Sequence, residues 1–219
     1  MTKTVAKMKK INLKILTIVA SIFGSFAYAA DPEDLQKLMD TNRCSKCDLF
    51  DADLEGDDLR FAWLNGASLL AANLSGTNLQ GADLSYTNLR NANLTAANLK
   101  ESQMMAAKLE GATLLDANLA AANLQYTNLS KANLEKAFMM GADLSYAQLV
   151  ATDLERATLL DANLAAANLM GANMAHANLE GANLSGANLR NANLQYTRMY
   201  GAILCNTTMP NGSIIYSGC

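Results

Sequence analysis

Four cysteines are the residues of this 219-residue chain whose type and spacing best suit specific chemistry. Cys44 and Cys47 form a Cys-x-x-Cys pair, while Cys205 and Cys219 lie near the end of the chain. A Cys-x-x-Cys pair can be a structural disulfide, a redox centre or half of a metal site. Each of these possibilities predicts different neighbours for the pair.

The neighbours of the pair favour a structural disulfide. A redox pair is expected at the start of a helix, where the dipole lowers a thiol pKa, whereas Cys44 follows a predicted helix and leads into the first strand. A metal site needs two further ligands, and the only histidine, His176, lies far along the sequence. The redox and metal interpretations stay open as alternatives, and we assign no metal-binding residue.

No group of residues has the pattern of a catalytic set. His176 is not paired with a nucleophile, and the sequence has no glycine-rich phosphate loop. Asp and Asn alternate at one position of a repeated motif, where they are expected to bond the backbone at a corner. We therefore predict no catalytic residue, no cofactor and no enzymatic activity.

The cysteines lie in two pairs at the ends of a repeat of five residues that runs over residues 47–211. The central residue is Leu at 28 of 33 positions and Met at the other five, and the residue two before it is Ala at 24 of them. A period of five fits neither an α-helix nor a β-strand. It is typical of a solenoid, in which stacked units form a continuous core.

The repeat resembles the pentapeptide-repeat family, as in Ala-Asn-Leu-Ser-Gly at 182–186 and Ala-Asn-Leu-Arg-Asn at 187–191. The resemblance covers about three quarters of the chain. It implies an all-β solenoid, a right-handed quadrilateral β-helix with four pentapeptides in each coil and with the Leu and Ala pointing inward. The chain would then form about eight coils, a rod on the order of 40 Å long at about 4.8 Å between strands.

The length of this rod selects the cysteine pairing. A disulfide needs Cα atoms within about 7 Å of each other, and the two ends of the rod are much further apart. Within one chain, only Cys44 with Cys47 and Cys205 with Cys219 can then be joined. Both bridges are expected in an oxidising compartment.

The first 29 residues predict a secretory signal peptide. They combine five lysines and no acid with a short apolar run and the small residues of Ala27-Tyr28-Ala29. Cleavage is expected after Ala29, and the mature protein is expected to be periplasmic or secreted. An uncleaved membrane anchor is the alternative, although the run is shorter than the roughly 20 residues that span a bilayer.

Residues 30–46 and 212–219 predict caps at the two ends of the solenoid. Asp31 suits the N-cap position of a short helix. The helix carries one apolar stripe, formed by Leu35, Leu38 and Met39. We expect this stripe to cover the first coil, with Phe61 and Trp63 packed beneath it. A helix that binds a partner is the alternative.

Negative charge is concentrated near the N-terminal end. Cleavage would remove five of the 17 basic residues and no acid, so 12 − 20 gives a charge of −8 for the mature chain. Residues 31–58 hold ten acids and three bases, whereas residues 59–219 hold ten acids and nine bases. The body of the solenoid is therefore almost neutral.

One group of outward residues suggests an interface. Residues 20 apart fall in the same column, and Tyr86, Tyr126 and Tyr146 share one column with Ala106 in the gap. Aromatic side chains are favoured at interfaces because they give a large contact area at low entropic cost. The alternative is that these tyrosines only stabilise the stack by packing on each other.

These features predict a non-enzymatic, exported scaffold that binds a protein partner, with a homodimer as one option. The resemblance adds an alternative, since some pentapeptide-repeat proteins look like DNA and bind DNA gyrase. Such mimicry requires regular negative charge along the rod, which the nearly neutral body lacks. We expect no nucleic-acid partner and, after cleavage, no membrane span.

Overall fold

A computed structural model describes residues 30–219 of the chain. Its regular elements are helix α1 (Pro32–Thr41) and strands β1 (Leu204–Thr208) and β2 (Ile214–Ser217). The predicted signal peptide lies outside the described residues. Within residues 30–219, no helix has both the length and the apolar character needed to cross a membrane.

Parallel bridges between residues 20 apart arrange most of the chain in stacked coils. The first bridge joins Arg43 to Trp63, and the last joins Asn188 to Thr208. Amides of the central residues donate to the next coil, as from Leu49 N to Ser68 O at 2.8 Å. One coil therefore takes four pentapeptides, and equivalent residues of successive coils lie above one another.

Tight turns join the pentapeptides at the corners of each coil. In one such turn Ala52 N donates to Leu49 O at 3.2 Å, and the third residue, Asp51, has a φ of 54°. This left-handed backbone costs a non-glycine residue roughly 1–2 kcal/mol. The N–H of Asp51 also donates to Leu70 O of the next coil at 2.9 Å, so a hydrogen bond between coils helps to hold the strained residue in place.

The interior is a stack of Leu and Met side chains with small residues beside them. The central residues from Leu49 to Leu189 are at most 2% exposed. Where Thr replaces Ala, its hydroxyl is satisfied by a backbone carbonyl, as from Thr77 Oγ1 to Leu54 O at 2.7 Å. Each buried Leu contributes about 1.5–3 kcal/mol, so the core forms only because neighbouring coils cover one another.

Helix α1 lies against the first coil. The side chain of Asp31 accepts from Glu33 N at 2.8 Å, as expected of an N-cap residue. Leu38 is 1% exposed, whereas Leu35 is only partly buried and Met39 is 37% exposed. The predicted apolar stripe is therefore packed along only part of its length.

Phe61 and Trp63 do not pack beneath α1, so that expectation was wrong. Their side chains are 65% and 53% exposed. Both residues occupy outward positions of the pentapeptide, and the Trp63 ring instead lies 4.4 Å from the guanidinium of Arg43. The position within the repeat decides the direction of these side chains, not their closeness to the helix.

A hairpin ends the chain. Strands β1 and β2 pair antiparallel, with an irregularity between Cys205 and Thr207. Core residues of the last coil are less covered than those before them, since Leu194 and Met199 are only partly buried. The hairpin therefore covers the end of the rod less fully than α1 covers its start.

Candidate functional site

The tyrosine column occupies the third position of successive corner turns. Tyr86, Tyr126 and Tyr146 have φ values of 61°, 58° and 61°, and each is more than half exposed. The rings of Tyr126 and Tyr146 stack with a centroid distance of 5.0 Å and an angle of 6° between their planes. Ala106 separates Tyr86 from this pair, as the 20-residue period predicts.

The ladder holds the stacked tyrosines in place. Tyr126 N donates to Ser145 O at 3.1 Å, and Tyr146 N donates to Ala165 O at 3.0 Å. Both tyrosines are more than half exposed, while their backbone amides are bonded to the next coil. The column can therefore offer apolar contact and hydrogen bonds to a partner.

A second aromatic pair lies two pentapeptides away around the coil. His176 stacks on Tyr196, with a centroid distance of 4.9 Å and an angle of 20° between the planes. This pair was not among the predictions made from the sequence. The signal was present, because His176 and Tyr196 are 20 residues apart and so fall in one column.

The last coil and the hairpin expose further large side chains that were not predicted from the sequence. Tyr200 and Tyr216 are 87% and 66% exposed, and Ile214 is 50% exposed. They belong to the last coil and the hairpin, where the core residue Met199 is only partly buried. The sequence did not predict these exposed side chains, because the hairpin departs from the five-residue repeat.

Both expected cysteine pairs are joined in the structure. The Cα atoms are 5.2 Å apart in Cys44–Cys47 and 4.9 Å apart in Cys205–Cys219. Cys44 falls one pentapeptide before Leu49, at a central position, and Cys47 takes the place of the inward Ala. Both side chains are therefore buried, with exposures of 0% and 2%.

Helix α1 brings two further side chains to the buried cysteines. The carboxylate of Asp34 and the two Sγ atoms of Cys44 and Cys47 lie within 4.8 Å of one another. The ammonium nitrogen of Lys37 lies 3.9 Å from Cys47 Sγ. Within residues 30–219 this is the one group of three residues with suitable atoms and spacing to hold a metal ion.

Charged side chains on the outer surface form local pairs. Arg60 donates to both carboxylate oxygens of Asp58 at 2.8 and 2.7 Å, which holds the pKa of Asp58 below its ordinary value and raises the pKa of Arg60. The hydrogen bond with Glu135 raises the pKa of Lys136. Asp58, Arg60 and Lys136 are exposed and Glu135 is half-buried, and their pairing reduces the free charge along the rod.

Comparison with known proteins gives one family. The description "Pentapeptide repeats" matches in eight copies, over residues 47–85, 72–111, 102–141, 139–174 and 172–209. A comparison with curated protein sequences finds no match.

Two solved structures are similar to the chain. HetL, a pentapeptide repeat protein involved in heterocyst differentiation regulation from the cyanobacterium Nostoc sp. strain PCC 7120, is 35% identical with a TM-score of 0.78, covering 79% of this chain and 78% of HetL. QnrB1, a plasmid-mediated fluoroquinolone resistance protein, is 19% identical with a TM-score of 0.55, covering 68% and 90%. These neighbours imply a right-handed quadrilateral β-helix, and the likeness to QnrB1 is one of fold alone.

Proposed function

The chain belongs to the pentapeptide-repeat family, and from this premise we propose that it is a non-enzymatic scaffold that presents fixed side chains to a protein partner. The proposed contact surface is the column of Tyr86, Tyr126 and Tyr146. The partner is a folded protein with an apolar patch and hydrogen-bonding groups at its rim.

The stack of Tyr126 on Tyr146 is the observation that carries this proposal. The two rings are 57% and 53% exposed, although they are held at 5.0 Å from each other. Side chains that are ordered before binding lose little entropy when a partner arrives. Aromatic residues also contribute a large share of the binding free energy at protein interfaces.

The rest of the molecule suits a scaffold. About eight coils at about 4.8 Å each form a rod near 40 Å long, with α1 capping its first coil. Each coil is bonded to its neighbours, so the column keeps one geometry. The basic and apolar leader in residues 1–29 and the two disulfides support an exported protein, because disulfides persist in oxidising compartments.

The alternative of a DNA mimic that binds DNA gyrase has less support. Residues 59–219 carry ten acids and nine bases, and several of these acids are paired, as Glu110 is with Arg90 and Glu180 is with Arg198. A duplex mimic would need unpaired negative charge at regular intervals. The acids of residues 31–58 lie at one end only.

Photo-crosslinking tests the proposed surface. A photoreactive amino acid at Ala106, in the gap between Tyr86 and Tyr126, should capture the partner in intact cells. The matched control is Ala96, which lies two pentapeptides away and has a φ of 54° against 55° at Ala106. Replacing all three tyrosines by Ser should abolish the Ala106 adduct and lower the melting temperature by only about 2–4 °C.

Two results would overturn the proposal. One is an equal yield of adduct at Ala96 and Ala106, and the other is an Ala106 adduct that survives the triple substitution. The mass of the adduct identifies the partner class, and an adduct of twice the chain's mass would make the partner a second copy.

A further inference from the structure

We propose that Cys44, Cys47 and Asp34 form a binding site for a thiophilic divalent cation when the Cys44–Cys47 disulfide is reduced. Zinc is the cation whose ligand preferences this set fits best. The inference is independent of the proposed partner surface, which lies on the outside of other coils. It makes this end of the rod sensitive to the redox state of its surroundings.

The three ligands converge from two separate parts of the chain. Cys44 and Cys47 lie on either side of a corner turn in which Lys46 has a φ of 60°, so both sulfurs point into the first coil. Cys44 N donates to Trp63 O at 2.7 Å, which fixes the turn on the coil above it. Asp34 reaches the same place from the first turn of α1, and the three ligand atoms lie within 4.8 Å.

A hydrogen bond from the backbone orients the carboxylate. Asp34 Oδ2 accepts from Asp48 N at 2.8 Å, which leaves Oδ1 outside this bond. Outer hydrogen bonds of this kind hold ligating carboxylates in place and are a regular feature of metal sites. The bond that joins α1 to the first coil thus also fixes a carboxylate beside the two sulfurs.

The charges also fit a bound cation. Two thiolates on buried sulfurs and the carboxylate of the half-buried Asp34 carry −3, and a divalent cation brings the site to −1. The Lys37 ammonium, 3.9 Å from Cys47 Sγ, supplies the remaining positive charge. Because unpaired buried charge is costly, this balance favours the fully occupied site. Three protein ligands leave the fourth tetrahedral position to water.

The disulfide is converted to the cation site by a reduction followed by ligand exchange. A dithiol reductant gives two electrons and two protons to the Cys44–Cys47 bond and is itself oxidised to a disulfide. The cation then displaces the two thiol protons to solvent. Each sulfur then lies about 2.3 Å from the zinc ion, so the two sulfurs are further apart than in the disulfide. Asp34 is the third protein ligand.

The two states have different mechanical consequences. The disulfide joins residues three apart and does not include α1. The cation joins both cysteines to Asp34 and so ties α1 to the first coil. The reduced, cation-loaded protein is therefore expected to hold α1 more firmly than the reduced, cation-free protein.

Cobalt and zinc binding to the full chain tests the site. Reduced protein should bind one Co²⁺ with a sulfur-to-cobalt charge-transfer band, and Zn²⁺ should displace it, while oxidised protein should show no band. C205S/C219S is the control, since it removes the other disulfide and should leave the band unchanged. Cys44→Ser should abolish the band, and Asp34→Asn should weaken zinc binding at least tenfold.

Amide exchange gives a second measurement that does not depend on the spectrum. Zinc should slow exchange of the α1 amides in reduced wild-type protein and leave them unchanged in D34N, which keeps an acceptor for Asp48 N. The proposal is overturned if reduced protein gives no charge-transfer band, if the band persists in C44S, or if D34N binds zinc as tightly as wild type.

Discussion

Asp34 Oδ2 accepts a hydrogen bond of 2.8 Å from the amide of Asp48, and this bond joins helix α1 to the first coil of the rod. A second hydrogen bond joins the N-cap residue of α1 to the same coil, since Asp48 O accepts from Asp31 N at 2.9 Å. Within residues 30–219 no coil precedes the first one to take these groups. The helix supplies what a neighbouring coil supplies elsewhere.

The variant Asp34→Ala should loosen α1 without disturbing the coils. It removes the acceptor for Asp48 N, which costs about 1 kcal/mol for a partly exposed bond. Exchange of the α1 amides, measured by hydrogen–deuterium exchange, should accelerate roughly fivefold. In Asp34→Asn an oxygen acceptor remains, so exchange should stay close to wild type, and equal exchange in all three proteins would contradict the role of this bond.

The sequence predicts the parts of the fold that repeat and misses the contacts that do not. The five-residue period places Leu49 inside, and the 20-residue coil places Tyr126 beside Tyr146. The sequence identifies Asp34 only as an acid in the first turn of a helix, because no repeat relates it to Asp48. The docking of α1, and with it the approach of Asp34 to Cys44, depends on packing at one end of the rod.

Trp63 and His176 show that the position of a residue in the coil predicts the direction of its side chain. Trp63 was expected under α1 because it lies near the helix in sequence, yet its place in the pentapeptide directs it to solvent. The spacing of 20 residues between His176 and Tyr196 is enough to place them in one column. Positions in the coil are therefore a better guide to contacts than positions in the chain.

Replacing the buried Ser102 by Ala should stabilise the protein. The Ser102 hydroxyl is 0% exposed, and its Oγ has no hydrogen-bond partner within the described residues. Most other pentapeptides have Ala at this position. Removing an unpaired buried hydroxyl should add about 1 kcal/mol to the free energy of unfolding in urea.

Thr77→Ala is the control for this prediction. Thr77 takes the same position in its pentapeptide, but its Oγ1 donates to Leu54 O at 2.7 Å. Its replacement should lower the unfolding free energy by about 1–2 kcal/mol. A loss of stability in S102A comparable to that in T77A would show that the Ser102 hydroxyl is satisfied.

The pair of Asp58 and Arg60 makes a small part of the stability depend on acid pH. Hydrogen bonds from Arg60 lower the pKa of Asp58 in the folded state. The pair therefore stabilises the fold above the unfolded-state pKa, and this contribution is lost as the pH falls through the lower, folded-state pKa. Because both side chains are more than half exposed, the effect should be small and weakened by salt.

Carboxyl NMR titration measures the lowered pKa of Asp58 directly. Arg60→Gln should raise the pKa of Asp58 toward its ordinary value, and 1 M salt should do so in part in the wild type. An Asp58 pKa that is unchanged by Arg60→Gln would rule out the pairing.

Removal of the two disulfides should have unequal effects at the two ends of the rod. Cys205–Cys219 closes a loop across β1 and β2, with a sequence separation of 14, whereas Cys44–Cys47 has a separation of 3. Chain entropy assigns about 3 kcal/mol to the longer loop and about 2 kcal/mol to the shorter one. In C205S/C219S the exposed hairpin should open locally, because Ile214 and Tyr216 bury little surface.

Limited proteolysis should then cut within residues 209–219 of this variant, while C44S/C47S keeps the wild-type pattern there. The same cleavage rate in both variants would show that packing, and not the bridge to Cys219, holds the hairpin on the last coil.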